Sequence, residues 1–337
     1  MRPLRAKPGL QKITLFGLAL LGALCLAELA LRLFAPLHLA DEPTAYVYDA
    51  ELGFRLRESH YSLRTTDFLQ EIRTNRRGTA NFQEDFSRFP SLVFAVGDSF
   101  TQGTGLPADA AYPFQLDLIL NTDARGRYTP RYGVVNLGVA GYGGEQALIL
   151  LRRTAQRLRP PAVILYLGCE NDDADDLLFR SGYRHKHIVE GSPLWGGWVR
   201  PLQWLTNDLQ IGVRAKVAID VMRRGRIPGA DVPAAGAPAP AAARSGADVR
   251  ERLAAFAREH NARLVVSWAN DTESYGLLQK WAAQRGIPFA DWRARVVSVQ
   301  AAMPALTANN PHSGGHHRAW VNRLIAEEFA RQMQAAR

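Results

Sequence analysis

The chain has 337 residues, of which 47% are hydrophobic and 22% are charged, and it contains 28 glycines. A chain of this length and composition can bury a sizeable core, either as one large domain or as two small ones. The formal net charge is +9, but four basic residues lie within the first twelve positions, and no basic block or nucleic-acid-binding motif follows them. The sequence therefore argues against a nucleic-acid partner.

The first predicted element is an apolar segment at residues 13–34, which is long enough to cross a bilayer once. Residues 1–12 are basic and Asp41 and Glu42 follow the segment, so we expect a cytoplasmic N-terminus. A cleaved signal peptide is the alternative, but no small-x-small cleavage site follows the run. We therefore predict a signal anchor of the inner (cytoplasmic) membrane, with the remaining chain facing the periplasm or cell exterior. The two cysteines, Cys25 and Cys169, are not expected to form a disulfide.

Residues 41–90 mix aromatic and charged residues in short alternating pieces, which predicts an extended leader that packs on the core. From Ser91 onward, apolar runs alternate with helical patterns. The predicted strands are "SLVFAV", "GVVNLGV", "AVILYLG", "ARLVVSW" and "IPFADW". Continuously apolar strands that alternate with helices indicate a parallel sheet covered on both faces. We therefore expect an α/β fold, a three-layer α/β/α sandwich with a parallel five-stranded sheet, over residues 91–337.

Two segments interrupt this alternation. Residues 183–226 contain three tryptophans at irregular spacing and a basic, helix-like piece, and we interpret them as an insertion. The tryptophans suit ordinary packing best, although a substrate cleft or a membrane-facing role stays open. Residues 227–247 are rich in Ala, Pro and Gly, which predicts a disordered linker.

Chemically capable residues follow the first three strands and precede the last helix. Ser99 follows the first strand, a glycine-rich turn with Gly141 follows the second, and Asn171 follows the third. His312 lies in "NNPHSGGHH", before the final helix. Because the carboxyl ends of parallel strands lie at one edge of a sheet, these residues are expected to converge there. A hydroxyl, an imidazole and oxyanion donors are the components of nucleophilic acyl transfer.

In this order, the four segments resemble the sequence blocks of the SGNH (GDSL-type) hydrolase superfamily, over roughly residues 90–330. "GDSFTQG" is similar to the first block, "NLGVAG" to the second, "END" to the core of the third and "PHSGGHHRAW" to the last. The resemblance implies the flavodoxin-like SGNH fold, with Ser99 as nucleophile and His312 as base. It also implies an oxyanion hole formed by Ser99, Gly141 and Asn171. Residues 41–90 resemble the leader of membrane-anchored bacterial members.

Two departures from the family pattern affect this interpretation. Two residues, instead of one, separate Gly168 from Asn171. The acid that the family places shortly before its histidine is replaced here by Asn309 and Asn310. An Asn309 carbonyl can orient an imidazole, but it cannot supply a full charge to the imidazolium. The site is therefore a slow triad variant with Asn309 as third member, a Ser-His dyad, or a degenerate remnant.

Each residue also has a structural explanation. Ser99 could be a helix N-cap, Gly141 could serve a tight turn, and Asn171 could cap a helix. His312 could be a solvated residue at a helix start, with His316 and His317 as competing bases. Asp98 is expected to order its loop through hydrogen bonds. The acidic run after Asn171 could suggest a metal site, but a solvated loop is favoured because no histidine or cysteine ligand set accompanies it.

These patterns predict a membrane-anchored serine esterase that hydrolyses or transfers small acyl groups, with no cofactor and no metal. The expected substrate is an acylated carbohydrate, with acetyl groups on envelope or exported polysaccharide as the first choice. Other esters, including lipid esters, stay open. The alternative is a catalytically degenerate glycan-binding or assembly component of the same fold.

Overall fold

The computed structural model describes residues 8–35, 43–65, 69–181, 189–192, 201–202, 204–224, 240–270, 272–310, 313 and 315–335. The chain divides into two compact units. The larger unit comprises residues 40–195 and 229–337, and the smaller comprises residues 1–39 and 196–228.

A four-stranded sheet lies at the centre of the larger unit. Numbered in chain order, its strands are β5 (Ser91–Gly97), β6 (Tyr132–Asn136), β7 (Val163–Gly168) and β8 (Arg263–Trp268). The spatial order is β6-β5-β7-β8, and each neighbouring pair is parallel. The two middle strands are buried almost throughout, because helices cover both faces of the sheet.

The helices of this unit lie between the strands and after the last one. They are α2 (Ser99–Gln102), α3 (Tyr112–Asn121), α4 (Gly144–Arg157), α5 (Asp172–Arg180), α7 (Pro240–Glu259), α8 (Glu273–Gln284), α9 (Arg293–Ala302) and α10 (Ala319–Gln334). Two large apolar clusters flank the sheet. One includes side chains of α4, α7 and α8, and the other includes side chains of α3 and α10. The predicted α/β fold with a parallel sheet is therefore confirmed.

The prediction of a fifth strand at "IPFADW" is wrong. This segment pairs with β8 only through an isolated parallel bridge between Phe289 and Val266. The Val266 N–H donates to the Pro288 carbonyl, and the Ala290 N–H donates to the Val266 carbonyl. Pro288 has no N–H to contribute to a ladder, and the chain then turns into α9, so the pairing does not extend into a strand.

The leader forms two antiparallel hairpins before the sheet begins. Strands β1 (Tyr46–Asp49) and β2 (Gly53–Leu56) make the first, and β3 (Tyr61–Thr65) and β4 (Leu69–Arg73) make the second. Residues of the first hairpin, among them Phe54, join a third apolar cluster that includes Tyr142. The Tyr142 hydroxyl also donates to the Phe54 carbonyl at 2.5 Å. The leader is therefore packed on the glycine-rich turn after β6.

The smaller unit contains two long helices, α1 (Pro8–Phe34) and α6 (Gln210–Arg224). Residues 12–34 are long and apolar enough to cross a membrane, a test that a signal sequence near the N-terminus would also pass. Part of the predicted linker, residues 227–239, lies outside the described residues, and its last eight residues, from Pro240 onward, belong to α7.

Candidate active site

Ser99 lies where the central strand β5 ends and α2 begins. The turn is tight because a Cβ on Gly97 would lie 2.6 Å from the Leu167 carbonyl oxygen, so only glycine fits there. Asp98 caps the short helix through Oδ1, which accepts the Phe100 N–H at 3.0 Å. This confirms its expected hydrogen-bonding role in the loop. The nucleophile candidate is therefore held at the carboxyl edge of the sheet.

The histidine beside Ser99 is His316. Its Nε2 lies 2.7 Å from Ser99 Oγ, and its Nδ1 contacts the Ser313 carbonyl oxygen. A carbonyl can only accept, so the Nδ1 atom carries the proton, and in the neutral ring Nε2 is left to accept from the Ser99 hydroxyl. The Phe100 ring packs against the imidazole with a centroid distance of 4.8 Å. The backbone carbonyl of Ser313 thus takes the orienting position in which a triad has its acid.

His312, the predicted base, lies outside the described residues. The sequence offers His316 as a competing base, but three histidines within six positions cannot be ranked by spacing alone. The 2.7 Å contact of its Nε2 with Ser99 Oγ is what identifies His316 as the partner of Ser99. The role of the Ser313 carbonyl was missed altogether, because a backbone acceptor has no sequence signal.

Asn309 contacts the other histidine of the pair. Asn309 Oδ1 lies 2.7 Å from His317 Nδ1, and the Ala269 carbonyl oxygen lies 2.8 Å from His317 Nε2. Burial lowers the pKa of His317 to about 4, so the ring is neutral and has one N–H to donate. Both of these partner atoms are oxygens, so the single N–H of the neutral ring donates to one of them. Asn309 therefore orients His317, a packed structural histidine.

The two oxyanion candidates beyond Ser99 are Gly141, which is described by its backbone conformation, and Asn171, which is described by its side-chain hydrogen bonds. Gly141 has φ +84°, a left-handed conformation that favours glycine, in the turn after β6. The neighbouring Ala140 N–H is already committed to Gln102 Oε1 at 2.6 Å. In Asn171, the amide nitrogen donates to Asp175 at 2.8 Å, and the Cys169 thiol donates to its carbonyl oxygen. An amide nitrogen has two N–H groups, so this bond leaves Asn171 one further donor.

The acidic run after Asn171 is not a solvated loop. It forms the first turns of α5, and three of its members are buried, Asp172, Asp175 and Asp176. Burial raises the pKa of Asp176 to about 7. Burial also raises the pKa of Asp172 well above its usual range, and the nearby carboxylate of Asp98 raises it further. The solvated-loop interpretation is therefore wrong, because the helix carries these carboxyls into the protein.

Asp98, Cys169 and Asp172 form a buried cluster under Ser99. The Cys169 thiol lies 2.9 Å from Asp98 Oδ2 and 3.1 Å from Asp172 Oδ1. Burial and the two carboxyls raise the pKa of the thiol well above its usual range, so it acts as a hydrogen-bond donor. Asp98 Oδ2 also lies 3.0 Å from Ser99 Oγ, as a second acceptor for the hydroxyl proton.

These three side chains are close enough to one another to suggest metal ligands. However, both carboxyl groups already have hydrogen-bond partners within the chain. Phe100 N–H and the Ser99 hydroxyl bond to Asp98, and the Tyr166 hydroxyl and Cys169 N–H bond to Asp172. The cluster is therefore explained as a hydrogen-bonded support for the nucleophile turn.

This arrangement defines a class of site, a serine–histidine pair at the carboxyl edge of a parallel α/β sheet. No protein-family model matches the chain, and no curated protein matches it. Among solved structures, it is similar to a member of the lipolytic protein G-D-S-L family from Veillonella parvula DSM 2008. The two are 11% identical over 71% of this chain and 96% of that chain, with a TM-score of 0.39.

A G-D-S-L family protein from Desulfitobacterium hafniense DCB-2 is 12% identical, over 72% of this chain and 99% of that chain, with a TM-score of 0.39. The structure of TesA is 14% identical, over 72% of this chain and 98% of that chain, with a TM-score of 0.37. The G-D-S-L family is the one that the four sequence blocks resemble.

Proposed function

We propose that the protein is a serine esterase of the SGNH type, with Ser99 as nucleophile and His316 as base. The observation that supports this best is the 2.7 Å contact between Ser99 Oγ and His316 Nε2, with Nδ1 held by the Ser313 carbonyl. The contact lies within the range in which a general base removes a hydroxyl proton. The Ser313 carbonyl fixes the tautomer that this step needs, so the site requires no acidic third residue.

In the proposed reaction, His316 Nε2 takes the proton from Ser99 Oγ as the oxygen attacks an ester carbonyl. The oxyanion is held by the N–H groups of Ser99 and Gly141 and by the second N–H of Asn171. His316 then gives its proton to the leaving alcohol, and an acyl-enzyme remains. Water, activated by the same imidazole, releases the acid. A sugar hydroxyl in place of water would give acyl transfer with the same residues.

For the substrate, we propose small acyl groups, with acetyl on envelope or exported polysaccharide as the first choice. The support for this is the apolar helix α1 with four cations in the first twelve residues. Together they favour a single-pass anchor of the inner membrane and a periplasmic or external site. An enzyme tethered there would meet acylated glycans. Lipid esters are the second substrate class to test.

The experiment is hydrolysis of p-nitrophenyl acetate by the full chain in a mild detergent, comparing the wild type with Ser99→Ala. Ser298→Ala is the matched control, because Ser298 lies on the exposed face of α9 and its hydroxyl donates to the Ala294 carbonyl of the same helix. We expect Ser99→Ala to lose turnover and Ser298→Ala to keep it. Folded protein without turnover in the wild type and the control would refute the esterase proposal and favour the glycan-binding alternative. Acetylated polysaccharide, with and without an added sugar acceptor, then separates hydrolysis from transfer.

A further inference from the structure

A glutamate within the apolar helix α1 joins it to a second helix. Glu28 lies two turns before the end of α1, and its carboxylate accepts the N–H groups of Gln210 and Ile211 at 2.9 and 3.0 Å. Those N–H groups belong to the first two residues of α6, so Glu28 acts as a cap for that helix. In return, Arg214 of α6 donates to the Ala35 carbonyl just beyond α1. The start of α6 is therefore fixed beside the C-terminal turns of α1.

The hydrogen bonds between α1 and α6 determine the depth of α6 relative to a membrane that α1 would cross. Glu28 precedes the end of α1 by six residues, or about 9 Å of helix. A carboxylate is costly in the bilayer core, but it is tolerated near the boundary when it is paired. Glu28 is paired both with α6 and with Arg32, at 2.7 Å. The start of α6 would therefore lie at the boundary between the acyl chains and the headgroups.

The side chains of α6 that the structure describes as exposed are all apolar. They are Ala215, Ala218, Ile219 and Met222. Their spacing of i, i+3, i+4 and i+7 forms one stripe of a helix. Gln210 and Val213, on the opposite side, are buried. Met222 is 76% exposed, which is unusual for a side chain of this size and hydrophobicity in contact with water.

The turn before α6 extends this apolar surface. Trp204 and Leu205 are about half exposed, at 56% and 46%. Gly212 holds the turn against the helix, because a Cβ there would lie 1.7 Å from the Leu205 carbonyl oxygen. Tryptophan is enriched at membrane–water interfaces, where its ring is apolar and its N–H is polar. The turn and the helix therefore present one apolar surface.

We propose that residues 204–224 form a membrane-interface element that lies in the headgroup region of the same bilayer and binds a lipid surface with anionic headgroups. The inference rests on the proposed anchoring by α1. The apolar stripe of α6 contacts a lipid surface because α6 is hydrogen-bonded to α1, and α1 is itself exposed and apolar along its length. The sequence of α6 also contains four basic residues against one acidic residue, which suits anionic lipid.

The test measures the depth of single labelled positions in the full chain. The protein is reconstituted in vesicles of phosphatidylcholine with phosphatidylglycerol, and a bimane label on one cysteine is quenched by brominated lipid. Native Cys25, an exposed residue of α1, reports on the anchor. Met222→Cys reports on the stripe, and Met303→Cys, at a 52% exposed position of the larger unit, is the matched control. The last two carry Cys25→Ser, and Cys169 stays unlabelled because it is buried with a raised pKa.

We expect quenching and a blue-shifted emission at positions 25 and 222 and neither at 303. The quenching at 222 should weaken when phosphatidylglycerol is omitted. Quenching at 25, with position 222 indistinguishable from 303, would overturn the interface element and leave the anchor standing. The absence of quenching at 25 would overturn both. Because the Ser99 assay is made in detergent, neither result depends on the esterase proposal.

Discussion

Replacing His317 by glutamine should remove a defined part of the pH dependence of stability. His317 is held neutral by burial, and its pKa falls from 6.5 to about 4. Acid therefore protonates the unfolded chain before the folded one, so this residue destabilises the fold as the pH falls from 6.5 towards 4. At about 1.4 kcal/mol per pH unit, the whole effect is about 3 kcal/mol. Roughly 2 kcal/mol of it falls between about pH 7 and pH 4.5.

The measurement is urea unfolding of the full chain in a nonionic detergent at the two pH values, followed by tryptophan fluorescence. Trp292 packs edge-on against His317 with a centroid distance of 4.9 Å, so its emission reports on this region. The loss of unfolding free energy on acidification should be about 2 kcal/mol smaller in His317→Gln than in the wild type.

The comparison between two proteins is needed because another buried group titrates in the opposite sense. The pKa of Asp176 is raised to about 7, so its stabilising effect is present in acid and is lost as the pH rises. This contribution is common to both proteins and cancels in the difference. Equal pH dependence in His317→Gln and the wild type would refute the assignment of His317 as a neutral buried ring.

Three further predictions concern the base, Asn309 and the packing of a buried glycine. His316→Ala should lower kcat for p-nitrophenyl acetate by about 10²–10⁴-fold, and His312→Ala should leave kcat unchanged. The reverse result would identify His312 as the base. Asn309→Asp should leave kcat unchanged, because residue 309 faces His317; a marked rise in kcat would show that it acts on the base. Gly138→Ala should destabilise the fold by roughly 3 kcal/mol in thermal or urea unfolding, since its Cβ would lie 2.1 Å from the Gln102 nitrogen. Its control, Gly276→Ala in α8, meets no atom within 4 Å and should gain about 0.5–1 kcal/mol; equal effects of the two would refute the packing explanation.

Local sequence patterns were sufficient to predict the main elements of the fold. The apolar runs at β5 and β7 have too few polar positions for a strand with one solvent-exposed face, so they predicted strands buried on both faces. The helical spacing of α4 and α10 was equally visible. The fifth strand failed because a short apolar run before a helix does not show whether its backbone will pair over several residues. That depends on its neighbour and on Pro288.

The site was predictable as a set of residue types but not as a set of contacts. The sequence indicated Ser99 because a strand followed by Gly-Asp-Ser has a local signature. It could not assign the base, because the choice among three histidines depends on a turn that brings His316 Nε2 to 2.7 Å from Ser99. Nor could it show that Asn309 orients His317 or that the Ser313 carbonyl orients His316. The sequence determined the strands, the helices and the chemical groups available, since these depend on local pattern. The tertiary structure decided which groups meet, because hydrogen bonds between distant segments depend on how the whole chain packs.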